Sequence, residues 1–176
     1  MRFRLYHLFL LLLPFLLGSC RDVISDRPII TVSIEPLRYF VQGIVGDKFQ
    51  VNTLVPAGVS PETYELTPQQ VVQTSDSRAY FCVGTLGFEQ ARLRKLTENA
   101  PNLLVVNTSD SIVLLQDDHS HNHSHPHVEG IDLHTWLSAT SGKQIAHNVL
   151  RALCQVDSAN AEFYQHRHDS LVQHID

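Results

Sequence analysis

Four short apolar runs, largely β-branched, punctuate this chain at 29–34, 51–55, 79–83 and 103–106. Runs this short, bounded by Gly, Pro and polar residues, read as strands buried on both faces. Between them the apolar residues recur at helical spacing. Pro36 opens a pattern carrying Leu37, Phe40, Val41, Ile44 and Val45, and Gly46 is placed to end it. Thr67-Pro68-Gln69-Gln70 predicts a capped helix start, with Thr67 as cap and Gln70 reaching back. The 89–98 stretch reads as a surface helix with Ala91, Leu93 and Leu96 inward, and 112–115 as a short apolar piece. Ser138 is placed to cap a helix whose inner face is Ile145, Val149, Leu153 and Val156. A further helix starts after Asp157 and runs through Phe163, Tyr164, Leu171 and Ile175.

Strands alternating with helices imply an α/β lobe: a roughly four-stranded parallel sheet flanked by helices. Ligands of such sheets sit in the loops leaving the carboxyl ends of the strands. Two loops qualify. One is the Gly- and Pro-containing 56–66 segment after the second strand, which carries Glu62. The other leads into the helix after Trp136 and carries His134. Taken alone, Glu62 also fits an ordinary loop carboxylate, and His134 beside Trp136 a packed, backbone-bonded histidine.

The stretch 117–130 is D-D-H-S-H-N-H-S-H-P-H-V-E-G. His119, His121, His123, His125 and His127 alternate with small or polar residues, next to Asp117, Asp118 and Glu129. Neutral imidazole suits Zn²⁺, Cu²⁺ and Ni²⁺, and five of them at i, i+2 spacing chelate in several overlapping sets. The expected behaviour is a mobile metal-collecting loop of modest affinity and easy exchange. The bland uses of such a tract are a polar linker or a purification tag. Its internal position and its Ser, Asn and Pro interruptions argue against a tag. Metal binding by imidazoles weakens as pH falls through about 6.5.

Residues 1–19 form a short cationic segment, an apolar core and a small-residue end, which is a secretory signal and too short to span a bilayer. Cys20 follows Leu17-Gly18-Ser19 as in a bacterial lipobox, where the cysteine is lipidated and becomes the N-terminus. Residues 20–28 then serve as a lipidated tether. The expected location is the bacterial periplasm or cell surface, with the chain anchored to a membrane. Loss of Arg2 and Arg4 with the signal takes the formal charge from −5 to −7. An acidic chain without a basic block is no nucleic-acid partner. Cys82 and Cys154 lack Cys-x-x-Cys spacing and read as buried free thiols. Neither H-E-x-x-H nor G-x-S-x-G occurs, so the chain reads as a binding protein and not an enzyme.

Four motifs together resemble one family. They are the lipobox, V-P-A-G-V-S-P-E-T-Y-E-L-T-P at 55–68, V-G-T-L-G-F-E at 83–89 and D-L-H-T-W-L-S at 132–138. The chain resembles the metal-binding lipoproteins of ABC importers, the ZnuA/TroA-type solute-binding family, over essentially all of its mature length. The resemblance implies two α/β lobes joined by a long, stiff helix, with metal held between them by two ligands from each. On this chain the first-lobe positions fall at Glu62 and His134. The family's usual residue at the first position is His. A carboxylate there still ligates zinc but hardens the site toward Mn²⁺ or Fe²⁺. The His-rich insertion resembles that of the zinc members, so zinc is the expected ion, with manganese or iron possible. Asp132 is placed to cap the segment or to orient it as an acceptor for an imidazole N–H.

The implied partners are a Zn²⁺ ion and an ABC permease. The implied organisation is a metal-binding lobe at 29–156 and the start of an inter-lobe helix at 157–176, with the second lobe missing, as in a truncated frame. A rival reading is a stand-alone, metal-storing surface lipoprotein or adhesin that uses only the His-rich loop, and another is a non-functional fragment. His147, His166, His168 and His174 fall on the helices; His147 lies beside the apolar stripe, and His166, His168 and His174, without i, i+4 spacing, read as a solvated face.

Overall fold

A computed structural model describes residues 27–114 and 134–175, without the side chains of 92–95, 97 and 99. The strands are β1 (Ile29–Val32), β2 (Gln50–Thr53), β3 (Ala79–Cys82) and β4 (Leu104–Asn107). The helices are α1 (Glu35–Val45), α2 (Pro68–Ser75), α3 (Gly87–Asn99), α4 (Ala139–Val156) and α5 (Ala161–Ile175). Short 3₁₀ turns at Thr135–Leu137 and Ser158–Asn160 precede the last two helices.

All strand pairs are parallel, in the order β2-β1-β3-β4. Ile30 stands between Val51 of β2 and Ala79 of β3, and Ala79 in turn pairs with Leu104. The β3 residues Ala79, Tyr80, Phe81 and Cys82 are all buried, as a central parallel strand covered on both faces requires. From β1 the chain steps one way to β2, then back across to β3 and on to β4. Right-handed crossovers therefore place α1 on one face and α2 and α3 on the other. The packing agrees: α1, α4 and α5 contact one another, and α2 contacts α3.

The inner face of α4 is Ile145, Ala146, Val149 and Leu153, each fully buried. Each large apolar side chain on that face is worth about 1.5–3 kcal/mol in burial. Helix α5 closes the layer through Tyr164 and Leu171. Leu171 lies over Gly43 of α1, where an added Cβ would stand 3.2 Å from its Cδ2. A glycine in mid-helix costs about 1 kcal/mol against alanine, and here it lets two helices approach closely.

Helix starts follow the sequence in most places. Thr67 and Gln70 form the capping box: the Gln70 amide nitrogen donates to Thr67 Oγ1 at 3.3 Å, and the Thr67 amide donates to Gln70 Oε1 at 3.0 Å. Ser138 does stand at the N-cap of α4, yet its side chain makes no capping bond. The surface-helix reading of 89–98 needs correction. Helix α3 begins earlier, Ala91 is exposed, and Phe88 and Glu89 are the residues turned inward with Leu96. The reason is local. Leu86 occupies the N-cap position without a side-chain acceptor, so the orphan amides recruit the Glu89 carboxylate into the interior. No helix among the described residues is long and apolar enough to cross a membrane.

Candidate metal centre

The 54–67 loop leaves the carboxyl end of β2 and is held at both ends. Leu54 and Val55 donate backbone bonds to Val32 and Ser33 of the neighbouring strand at 2.9 and 3.0 Å. Gln70 Nε2 donates to the Leu54 carbonyl at 2.8 Å. Tyr64 is fastened twice: its hydroxyl shares close contacts with the Gln70 side-chain amide, and its ring meets Phe88 edge-on at 6.2 Å. Leu66 is buried. Glu62 projects between these anchors, on an exposed turn where its amide donates to Ser60 Oγ at 3.4 Å.

His134 reaches the same edge of the sheet from the other side. Its carbonyl accepts from the Leu137 amide at 3.1 Å, closing the 3₁₀ turn, and its ring meets Trp136 edge-on at 5.3 Å. Thr135 is buried, and its hydroxyl lies 3.1 Å from that of Ser109, just past the end of β4. Asn148 of α4 donates to the carbonyls of Thr108 and Asp110 at 3.0 and 2.9 Å. Trp136 and Leu137 line a cleft with Pro36 and Tyr39 at the start of α1, beyond the carboxyl end of β1. The His134 segment is therefore tied to the carboxyl ends of both β4 and β1.

Between the two segments lies the point where the strand order reverses, between β1 and β3. Its floor is polar and buried. The Glu89 carboxylate accepts from the amides of Val83, Gly84 and Leu86 at 2.9, 2.7 and 3.4 Å. Burial pushes its carboxyl above the ordinary value, and the amide bonds pull against that shift. Burial, and then the Glu89 charge, also raise Tyr80 and Cys82, so Cys82 stays a thiol and offers no thiolate. The Ser33 hydroxyl is buried near Tyr80 and Glu89 but finds no hydrogen-bond partner of proper geometry among the described residues. Gly84 has φ +93, and a Cβ on it would run into the Asn107 amide.

Glu62 and His134 are both exposed, in segments anchored beyond the ends of β2 and β4. Among the described residues no group of three or more His, Cys, Asp or Glu is close enough together to hold an ion. Cys20, Asp132 and the loop histidines His119, His121, His123, His125 and His127 lie outside the described residues. Sequence reasoning missed the supports: Tyr64, Asn148 and Glu89. Asn148 had a signal, being a polar residue beside the apolar stripe of α4. Glu89 had none, because a carboxylate two residues into a helix normally serves from the surface.

Residues 30–176 match the family described as zinc-uptake complex component A, periplasmic, or ZnuA. The chain belongs to the ZnuA family. It is 28% identical to a metal ABC transporter substrate-binding lipoprotein of Lactococcus lactis, over 88% of this chain and 50% of that protein. It is 29% identical to the manganese ABC transporter substrate-binding lipoprotein PsaA of Streptococcus pneumoniae, over 70% of this chain and 40% of PsaA. The chain spans about half the length of the curated relatives it matches. A crystal structure of a ZnuA deletion mutant with zinc bound superposes with a TM-score of 0.74 at 33% identity, over 85% of this chain and 55% of that one. A manganese-bound periplasmic protein of Candidatus Liberibacter asiaticus shares the fold, with a TM-score of 0.71 at 20% identity over 84% of this chain and 52% of that one. The ZnuA family and the relatives named here are solute-binding proteins, not enzymes. The α/β class and the parallel sheet expected from the strand runs are those of ZnuA.

Proposed function

We propose that this ZnuA-family chain forms the metal-capturing first lobe of an extracytoplasmic lipoprotein that hands a transition-metal ion to an ABC permease. Glu62 and His134 supply two ligands, and water or another protein segment completes the ion's shell. Zinc is the favoured cargo because five loop imidazoles suit it, whereas Glu62 by itself leans toward manganese. Residues 29–156 act as the lobe, 157–176 begin the connection to a second one, and lipidated Cys20 keeps the protein at the membrane. The His-rich segment raises the local ion concentration beside the lobe, as a tethered second binding element does.

The observation that carries this reading is the common location of two independently anchored loops. Glu62 is held through Tyr64 and Leu66 at the end of β2, and His134 through Thr135 at the end of β4. Each loop leaves the carboxyl end of its strand, and ligands of parallel α/β folds bind at that edge, which supports this reading.

The test is Zn²⁺ titration by calorimetry on the full chain with the five loop histidines replaced by serine. Loss of groups that merely orient a ligand costs about 10–100-fold in metal affinity. Glu62→Ala and His134→Ala, which remove ligands outright, are each expected to weaken binding at least about tenfold. Unchanged affinity in both variants would remove these residues from the site.

A further inference from the structure

His147 of α4 and His168 of α5 face each other across the helical hairpin, with ring centres 6.2 Å apart and planes at 67°. His147 is exposed beside the apolar stripe of α4, and the expectation of a solvated face holds for His166 and His174, which are exposed. It fails for His168, whose side chain keeps only 13% exposure. The chain turns back between the two helices within 157–160, and His168, on the same stripe of α5 as buried Tyr164 and Leu171, comes against α4.

His168 carries an electronic asymmetry. Its Nδ1 lies 2.9 Å from Asp169 Oδ1. An ionised carboxylate only accepts, so the proton of the neutral ring sits on Nδ1, and in that tautomer Nε2 keeps its lone pair. That Nε2 is buried and meets no hydrogen-bond partner among the described residues. A buried acceptor without a partner is costly, and an apolar side chain would fill the same space without the cost. A carboxylate on one ring nitrogen and a free lone pair on the other is the arrangement that orients a metal-ligating imidazole.

The spacing suits a shared ion. With Zn–N distances of about 2.0–2.1 Å, two imidazoles on one tetrahedral ion place their ring centres roughly 5 Å apart. The observed pair is about 1 Å wider than that. Closing that difference calls for a change of rotamer at His147, which is exposed. Lys143 and Arg151 stand one turn to either side of His147, so the local field opposes a cation and holds the affinity to that of a two-ligand site.

We propose that His147 and His168 form a bis-imidazole site for Zn²⁺, Ni²⁺ or Cu²⁺ that clips α5 onto α4. It uses neither Glu62 nor His134 and stands whether or not those two bind metal.

The test uses the full chain with the five loop histidines changed to serine and with Glu62→Ala and His134→Ala, so that the ligands proposed for the other sites are gone. Cu²⁺ is the probe, followed by electron paramagnetic resonance, with Zn²⁺ added separately during thermal unfolding. One bound Cu²⁺ with two-nitrogen hyperfine structure is expected, together with a rise in Tm on adding Zn²⁺. His147→Gln, at an exposed position the fold does not need, should weaken Cu²⁺ binding at least tenfold and remove most of the Zn²⁺-induced shift. His168→Gln should do the same. If His168→Gln fails to fold, His147→Gln decides alone. Equal Cu²⁺ affinity and an equal Zn²⁺ shift in His147→Gln and its parent would overturn the proposal.

Discussion

Glu89 carries three backbone amides on one buried carboxylate, and both of its oxygens are used. Glutamine in its place would turn an NH₂ group toward one of those donors. Glu89→Gln is therefore expected to destabilise the lobe by about 1–3 kcal/mol, the cost of an unmet buried donor, measured by denaturant unfolding. The pH dependence has a definite sign. Burial raises this carboxyl above its ordinary 4.5, so the folded state holds the proton more tightly than the unfolded one. Stability from the neutral form is complete below that ordinary value and is lost as pH rises through the raised one. The stability gap between the parent and Glu89→Gln should accordingly narrow from pH 4.5 toward pH 7. A gap that widens would mean that the amide bonds, and not burial, dominate. Glu62 and His134 sit differently. They are exposed, and the residues behind them are harder to find than they are. A Gly- and Pro-rich loop with one carboxylate is visible in a sequence, whereas the Tyr64–Gln70 and Ser109–Thr135 contacts that aim the loops join residues whose proximity only packing creates.

At the scale of elements, helix termini are readable where the chemistry is local. The Thr67–Gln70 box lies within one helical turn, so four consecutive residues are enough to predict it. Thr67→Ala is expected to cost about 1 kcal/mol in unfolding free energy, the usual worth of a side-chain cap. Helix α3 departs from its sequence pattern because its cap comes from inside the helix and its burial from the loop above it. Helix α5 shows the opposite relation. Its apolar residues Tyr164 and Leu171 stand out in the periodicity, but Leu171's position over Gly43 depends on α1 and α5 meeting at all. Leu171→Ala should open a cavity there and cost about 2–5 kcal/mol, read by thermal unfolding. Gly43→Ala probes the same contact from the other side: gained helix propensity is set against a Cβ at 3.2 Å, so a net loss would show that close approach decides.

At the scale of the molecule, the sheet and the His-rich segment divide the work. The lobe holds its two loops in place through β2, β4 and the polar floor at the strand-order reversal. The five loop histidines are separate in sequence from every buried residue of the core. Replacing all five with serine should lower the number of Zn²⁺ ions bound per chain while changing the metal-free Tm by no more than a few °C, since none of the five is among the buried core residues. Calorimetry and thermal unfolding on the same sample check both halves, and an unchanged stoichiometry would take the loop out of metal capture. Strand identity, strand direction and the α/β class were determined by the sequence alone, because short β-branched runs separated by helical periods admit few other arrangements. The tertiary structure alone decided the order β2-β1-β3-β4, the burial of Glu89 and the meeting of His147 with His168. Each of these joins residues through space, and periodicity reports which face of an element is apolar without naming what that face will touch.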